Sequence, residues 1–457
     1  MRYDDAEYLA DASKVVKANI LDARTQNSVS MQQAFTCRVE AVKGNVWVSK
    51  FSLPKPADED DTSRDHFMRL VDDANEHNVE FQRPFSQKLD FEWVGYRGGD
   101  DIGKKTPEPN TSEKEKFEKL SAETKSPLTI LYIYGGSFSL NSPARYRKTL
   151  ASLCKDTGAK GLLVRQRLAP QNPLPGALLD IFQAYLTLIN PPAGSDAPHK
   201  PINPSSIVIA GDSSGACLAL CLLQVLLRSK RLNEPLKFHG TTISPQILIP
   251  AGIALISPTA DLACAFPSFE KNAHCDIYPM PIEKLPYLEK EFPFCDAWPS
   301  PPPRANLYCV RGMLAHPLVS PAASDDWSGT CPVWIGMGQE QMGDPARLVV
   351  REINRAGGSV TLLEYEAMFH DFFLVYREAP QTKHILRGWG EAILRFARAE
   401  RPPSSAHFIR ANGLKAEEMD VERLVSFSLK EAKEWMWKKT FDYKVPSHFW
   451  DPPRSNL

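Results

Sequence analysis

From residue 128 onward, the polarity pattern of the chain settles into a repeat. Short, mainly apolar runs alternate with longer segments whose apolar residues recur every three or four positions. The runs are "LTILYIYG" (128–135), "AKGLLVRQRLA" (159–169), "SSIVIAGDSSG" (205–215), "GIALISPTADL" (252–262), "PVWIGMG" (332–338) and "SVTLLEYEA" (359–367). Between and after them, "ARYRKTLASLCKDTG", "PGALLDIFQAYLTLIN", "ACLALCLLQVLLRSK", "PARLVVREINRAGG" and "TKHILRGWGEAILRFARA" carry helical spacing. A strand that is apolar throughout is covered on both faces. Strand–helix alternation of this kind builds a mainly parallel sheet with helices on either side. The predicted fold class is α/β.

The pattern is weaker before residue 128. Residues 6–26 have helical spacing, and "AFTCRVEAVKGNVWVSKFSL" (34–53) reads as two strands about a Gly44-Asn45 turn. A helix is expected near 66–77 and a strand at 89–97. Residues 98–127 are polar and rich in Pro and Gly, the texture of a long surface insertion. The pattern divides the chain into an N-terminal region (1–85), an α/β domain (86–400) and a C-terminal extension (401–457).

Composition narrows the function classes. With 43% hydrophobic and 24% charged residues and a net charge of −1, the chain has no global field to recruit nucleic acid or an anionic membrane. No run reaches the roughly 18 apolar residues that a spanning helix needs. The N-terminus has no secretory leader pattern, so the expected location is cytoplasmic. Nine cysteines are scattered without C-x-x-C spacing, which points to buried free thiols rather than a metal site or a disulfide scaffold.

The candidate chemistry sits at strand ends. Gly211-Asp212-Ser213-Ser214-Gly215 fits G-x-S-x-G at the junction of a strand and a strong helix. Such a motif turns sharply, with small flanking residues, and lifts the central serine above the sheet. A serine needs a base and an acid to orient that base. His370 follows the last strand of the repeat and precedes its last helix, on the loop that opens beside the serine. The acid belongs after "PVWIGMG"; Glu340 comes directly off the strand and takes the orienting role, with Asp344 expected as a helix cap and as the alternative acid. Gly135 and Gly136, with the N–H of Ser214, are the expected oxyanion donors. A Gly-rich packing loop and a small-residue turn are the non-catalytic readings of the same segments.

These motifs resemble, in order, those of the hormone-sensitive-lipase-like esterases of the α/β-hydrolase fold, in particular the longer fungal members. The resemblance runs through Tyr134-Gly135-Gly136-Ser137, "QRLAPQNPLPGALLD" ending in Asp180, the Ser213 motif, "ISPTADL" and His370-Asp371-Phe372. It implies a serine carboxylic-ester hydrolase with no cofactor and no metal, acting on a small hydrophobic ester through an acyl-enzyme. It also implies a cap built from the N-terminal region and an insertion after the 251–262 strand, here 263–310. An acyltransferase or lactonase with the same triad, and a catalytically silent hydrolase-fold binding protein, are the alternatives. The departures are Tyr134 for His, Ser137 for a third glycine, a shortened acid turn, and Asp371, which sets a carboxylate beside the base. Trp435 and Trp437, among lysines, are compatible with peripheral contact to a membrane surface, although packing against the body is the favoured expectation.

Overall fold

A computed structural model describes residues 2–98, 111–277, 286–288, 291–301 and 304–442. Part of the expected polar insertion, parts of the expected 263–310 cap and the chain beyond 442 lie outside these residues.

The strands are β1 (Val46–Leu53), β2 (Leu89–Tyr96), β3 (Thr129–Ile133), β4 (Lys160–Val164), β5 (Ile207–Asp212), β6 (Leu236–Phe238), β7 (Thr241–Ile243), β8 (Gly252–Ile256), β9 (Val333–Gly338), β10 (Val360–Tyr365), β11 (Ser405–Ile409) and β12 (Ala416–Met419). The helices are α1 (Ala6–Gln26), α2 (Val29–Thr36), α3 (Ser63–Asp73), α4 (Glu113–Glu123), α5 (Pro143–Thr157), α6 (Gly176–Ile189), α7 (Ser213–Leu232), α8 (Ser268–Lys271), α9 (Gly343–Arg355), α10 (Phe372–Val375), α11 (Pro380–Ala397) and α12 (Leu429–Phe441).

Ten strands form one sheet in the order β1-β2-β4-β3-β5-β8-β9-β10-β11-β12, and β6 and β7 form a separate hairpin. The stretch from β4 to β11 is parallel, while β1, β2 and β12 pair antiparallel at the two ends. Alternation along each strand splits the core between two faces. Leu131, Ile133, Ile207 and Ile209 face α6 and α7, whereas Ile130, Tyr132, Val208 and Ala210 face α5 and α11. This is the two-sided burial that continuous apolar strands demand.

Three expectations need correction. Residues 34–41 are not a strand: Ser28 caps α2, which runs through Thr36, and β1 pairs with the distant β2, from Val46 opposite Tyr96 to Leu53 opposite Leu89. The polar insertion contains α4, started by a reciprocal capping box between Ser112 and Glu115. The sheet also continues past residue 400, through β11 beside β10 and then β12. All nine cysteines are free thiols. No helix among the described residues is long and apolar enough to cross a membrane. Trp435 packs on Phe427 at 4.9 Å and Trp437 stacks on His77 at 3.6 Å, so both rings lie against the body.

Candidate active site

The parallel strands β3, β5, β8, β9 and β10 direct their carboxyl ends to one edge of the sheet, and the loops leaving them converge there. β5 ends at Asp212 and α7 begins at once with Ser213, whose φ is +51°. A non-glycine residue in the left-handed region costs roughly 1–3 kcal/mol and persists only where its surroundings fix it. Here the fixing is steric: a Cβ on Gly215 would lie 2.0 Å from the Ile133 carbonyl oxygen, so α7 packs directly on the end of β3. Ser213 stands at the N-terminus of a 20-residue helix whose first N–H groups have no intrahelical acceptor.

Ser213 Oγ lies 2.8 Å from His370 Nε2, and His370 Nδ1 lies 2.7 Å from Glu340 Oε2. Glu340 is fully buried, and Ser213 and His370 are nearly so. The turn after β9 therefore brings Glu340, not Asp344, to the imidazole. Nor does Asp344 cap the helix. It sits in the first turn of α9, where its carboxylate accepts from the Ser268 N–H at 2.8 Å and from Arg347 at 2.9 Å. Burial pushes the Glu340 carboxyl above its ordinary range, and the facing His370 pulls it back.

Two carboxylates that motif reasoning missed hold this geometry. Asp276 accepts from the His370 N–H at 2.8 Å and the Gln341 N–H at 2.7 Å, tying the loop that carries His370 to the turn that carries Glu340. It lies in "NAHCDIYP", a segment with no local signature of the task. Asp212, the second residue of the G-x-S-x-G motif, accepts from the Tyr132 hydroxyl at 2.6 Å, the Tyr146 hydroxyl at 2.9 Å and the Gly135 N–H at 3.3 Å. Burial pushes the Asp212 carboxyl up to about 6 against the pull of these donors.

The Asp212 contact changes the reading of the oxyanion loop. The Gly135 N–H points at Asp212, so it is already engaged, contrary to the expected role. Gly136, Ser137 and Phe138 follow with φ of +133°, +52° and +56°. Among the described residues, the N–H groups of Gly136 and Ser137 have no acceptor. Ser214 lies in the first turn of α7, where its N–H is open. Of the expected donors, Gly136 and Ser214 keep open N–H groups, and the N–H of Ser137, next along the loop, is open as well. Tyr134 is buried and stacks on Tyr146 at 5.5 Å. Asp180 stays away from the chemistry, buried and bonded to Arg167 at 2.7 Å.

The N-terminal helices lie on this loop. Arg24 of α1 donates to Ser137 Oγ at 3.2 Å, and Gln33 of α2 donates to the Ser139 carbonyl at 2.9 Å and the Ala169 carbonyl at 3.1 Å. Asn141, at the loop's end, donates its N–H to Thr36 Oγ1 at 3.2 Å.

The sequence profile of a family described as "alpha/beta hydrolase fold" matches residues 130–374, more than half of the chain. The chain belongs to the α/β-hydrolase fold family. An acetyl-hydrolase of Streptomyces hygroscopicus is 30% identical to this family member over 273 residues, 60% of this chain and 77% of its own. An esterase of Acinetobacter venetianus is 28% identical over 270 residues, 59% of this chain and 75% of its own. The crystal structure of EstE5 soaked with p-nitrophenyl butyrate superposes with a TM-score of 0.55 at 20% identity, covering 85% of this chain and 98% of that one, and supports the same hydrolase fold. The fold class and the family resemblance drawn from the motifs hold, and carboxylic-ester hydrolase is the enzyme class that the relatives' names express.

Proposed function

We propose that this α/β-hydrolase is a serine carboxylic-ester hydrolase working through an acyl-enzyme on Ser213. The observation that carries the reading is the continuous path from Ser213 Oγ through both nitrogens of His370 to Glu340, at 2.8 and 2.7 Å, behind a serine held at φ +51°. His370 takes the Ser213 proton at Nε2 as Oγ bonds to the ester carbonyl carbon, while Glu340 holds the tautomer and the ring orientation. The developing oxyanion is received by the N–H groups of Gly136, Ser137 and Ser214, at the positive end of α7. His370 then gives the proton to the departing alkoxide, and water repeats the sequence to release the acid.

The hydrophobic character of the ester is a further part of this proposal. A panel of p-nitrophenyl esters graded by acyl length tests the reading. Turnover that rises from acetate to butyrate and disappears in Ser213→Ala supports it, and turnover that survives the substitution overturns it. Faster transfer of the acyl group to an added alcohol than to water would make the enzyme an acyltransferase.

A further inference from the structure

Asp371 has no part in the arrangement described so far. It occupies the N-cap of α10 with φ +55°, and its N–H donates to Ser257 Oγ at 3.3 Å. Its carboxylate lies on the opposite side of the imidazole from Glu340. Oδ2 is 3.7 Å from His370 Nε2, the nitrogen that faces Ser213. The side chain is 13% exposed, and its Oδ1 is buried with no hydrogen-bond partner among the described residues.

The charged surroundings of His370 are acidic on every side. Glu340 approaches from the β9–α9 loop, Asp276 from the segment after α8, and Asp212 from the end of β5 behind Asp371. Tyr132 of β3 and Tyr146 of α5 enclose Asp212, and Cys275 stands beside Asp276. The cation on the cap side is Lys17 of α1, whose ammonium faces Asp276 and Cys275.

A carboxylate 3.7 Å from an imidazole lone pair is repulsive, and a proton held between them turns repulsion into attraction. Burial disfavours the charged imidazolium, but Asp371, then Glu340 and Asp276, outweigh it and push the His370 pKa up to about 10. Burial also holds the Asp371 carboxyl well above the usual carboxylate range, with His370 acting in the opposite direction. The two groups face each other at 3.7 Å, so their protonation is coupled and belongs to the pair.

We infer that Asp371 is a positioning residue whose carboxylate, 3.7 Å from His370 Nε2, holds a proton on the Ser213-facing side of the imidazole. This rests on the serine-hydrolase reading above. The resting pair first loses its proton to solvent. The Ser213 proton then moves onto Nε2 as Oγ bonds to the carbonyl carbon, and Asp371 stabilises the imidazolium so formed. That proton leaves with the alkoxide, and the pair is again proton-free.

Left-handed backbone suits Asn and Gly, so Asp371→Asn and Asp371→Gly remove the charge without straining the turn. The direct readout is the titration of the His370 imidazole by NMR in protein carrying 13C-labelled histidine, with His370→Gln assigning the signal. The expected midpoint falls by at least about 1 pH unit in both variants and returns towards the wild-type value in Asp371→Glu. The pH profile of kcat/KM for p-nitrophenyl butyrate is expected to move with it, rising on the acid side while the alkaline plateau of kcat falls. An unchanged His370 midpoint in Asp371→Asn and Asp371→Gly overturns the inference. If instead Ser213→Ala keeps full turnover, the serine-hydrolase reading fails, and the NMR midpoint still decides what Asp371 does to His370.

Discussion

The two flanks of Ser213 are built from different materials. On the base flank the working groups are side chains, and they are acids: Glu340 and Asp371 on opposite sides of the imidazole, with Asp276 clamping its backbone N–H. On the proposed oxyanion flank the groups are the backbone N–H donors of Gly136, Ser137 and Ser214, and the loop runs at positive φ from Gly136 to Phe138. In the proposed reaction one flank concentrates negative charge around the base, and the other leaves backbone N–H groups open for an anion. Asp212 lies between them, gripping the oxyanion loop through the Gly135 N–H while adding its field to Asp371. A single change should therefore reveal which flank it belongs to: base-flank changes move pH profiles, and oxyanion-flank changes lower kcat at every pH.

The largest effect lies where the flanks meet. Ser213→Ala is expected to lower kcat by at least about 10⁴-fold with little change in melting temperature. Next comes the acid. Glu340→Gln is expected to cost about 10³–10⁴-fold in kcat, because the imidazole loses both its tautomer and its counter-charge. Asp344→Ala should cost less than about tenfold in rate but about 1–3 kcal/mol in stability, since it leaves the Ser268 N–H without its acceptor and takes one of the two carboxylates from Arg347, which keeps Glu364. Steady-state kinetics beside thermal melts separate the two, and a larger rate loss at Asp344 would reverse the assignment.

On the oxyanion flank, Asp212→Asn loosens the loop without touching the triad. An expected fall of about 10²-fold in kcat with KM held marks a misaimed donor set, and an unshifted pH midpoint would show that Asp212 serves that flank alone. The same variant carries a stability signature. Burial holds the Asp212 carboxyl up to about 6 in the fold, above its unfolded value of about 3.9. Its contribution is therefore fully present below the unfolded pKa and is lost as pH climbs through about 6. The melting temperature of Asp212→Asn relative to wild type should thus improve between pH 4 and pH 7. The smallest effect belongs to the N-terminal helices that lie on the loop. Arg24→Ala releases the Ser137 hydroxyl and should change kcat less than about tenfold, and Ser137→Gly, free to take φ +52° without strain, should match it within a factor of a few.

How much of this was written in the sequence depends on range. The strands of the repeat and the helices between them follow from local apolar periodicity, which the fold then buries on both faces. Ser213, Glu340 and His370 were legible because each sits at a strand end whose position the pattern marks. What was not legible is long-range. Asp276 meets His370 across 94 residues with no motif around it. β1 finds its partner in β2 instead of closing a local hairpin. β11 and β12 are short and partly polar, and only the exposed edge of β10 turns them into sheet. The engagement of the Gly135 N–H was also invisible, because it depends on where the Asp212 carboxylate points. The start of α4 is a different matter: Ser112 and Glu115 spell a capping box in a segment whose polarity hid it.

The central claim is that Ser213 is the nucleophile, activated by His370. Its most direct test is the intact mass of the protein after a short exposure to a fluorophosphonate. The account predicts one phosphonyl adduct, on Ser213, in the wild type, and none in Ser213→Ala or His370→Ala. An unlabelled wild type, or a Ser213→Ala variant labelled as fully as the wild type, would contradict it.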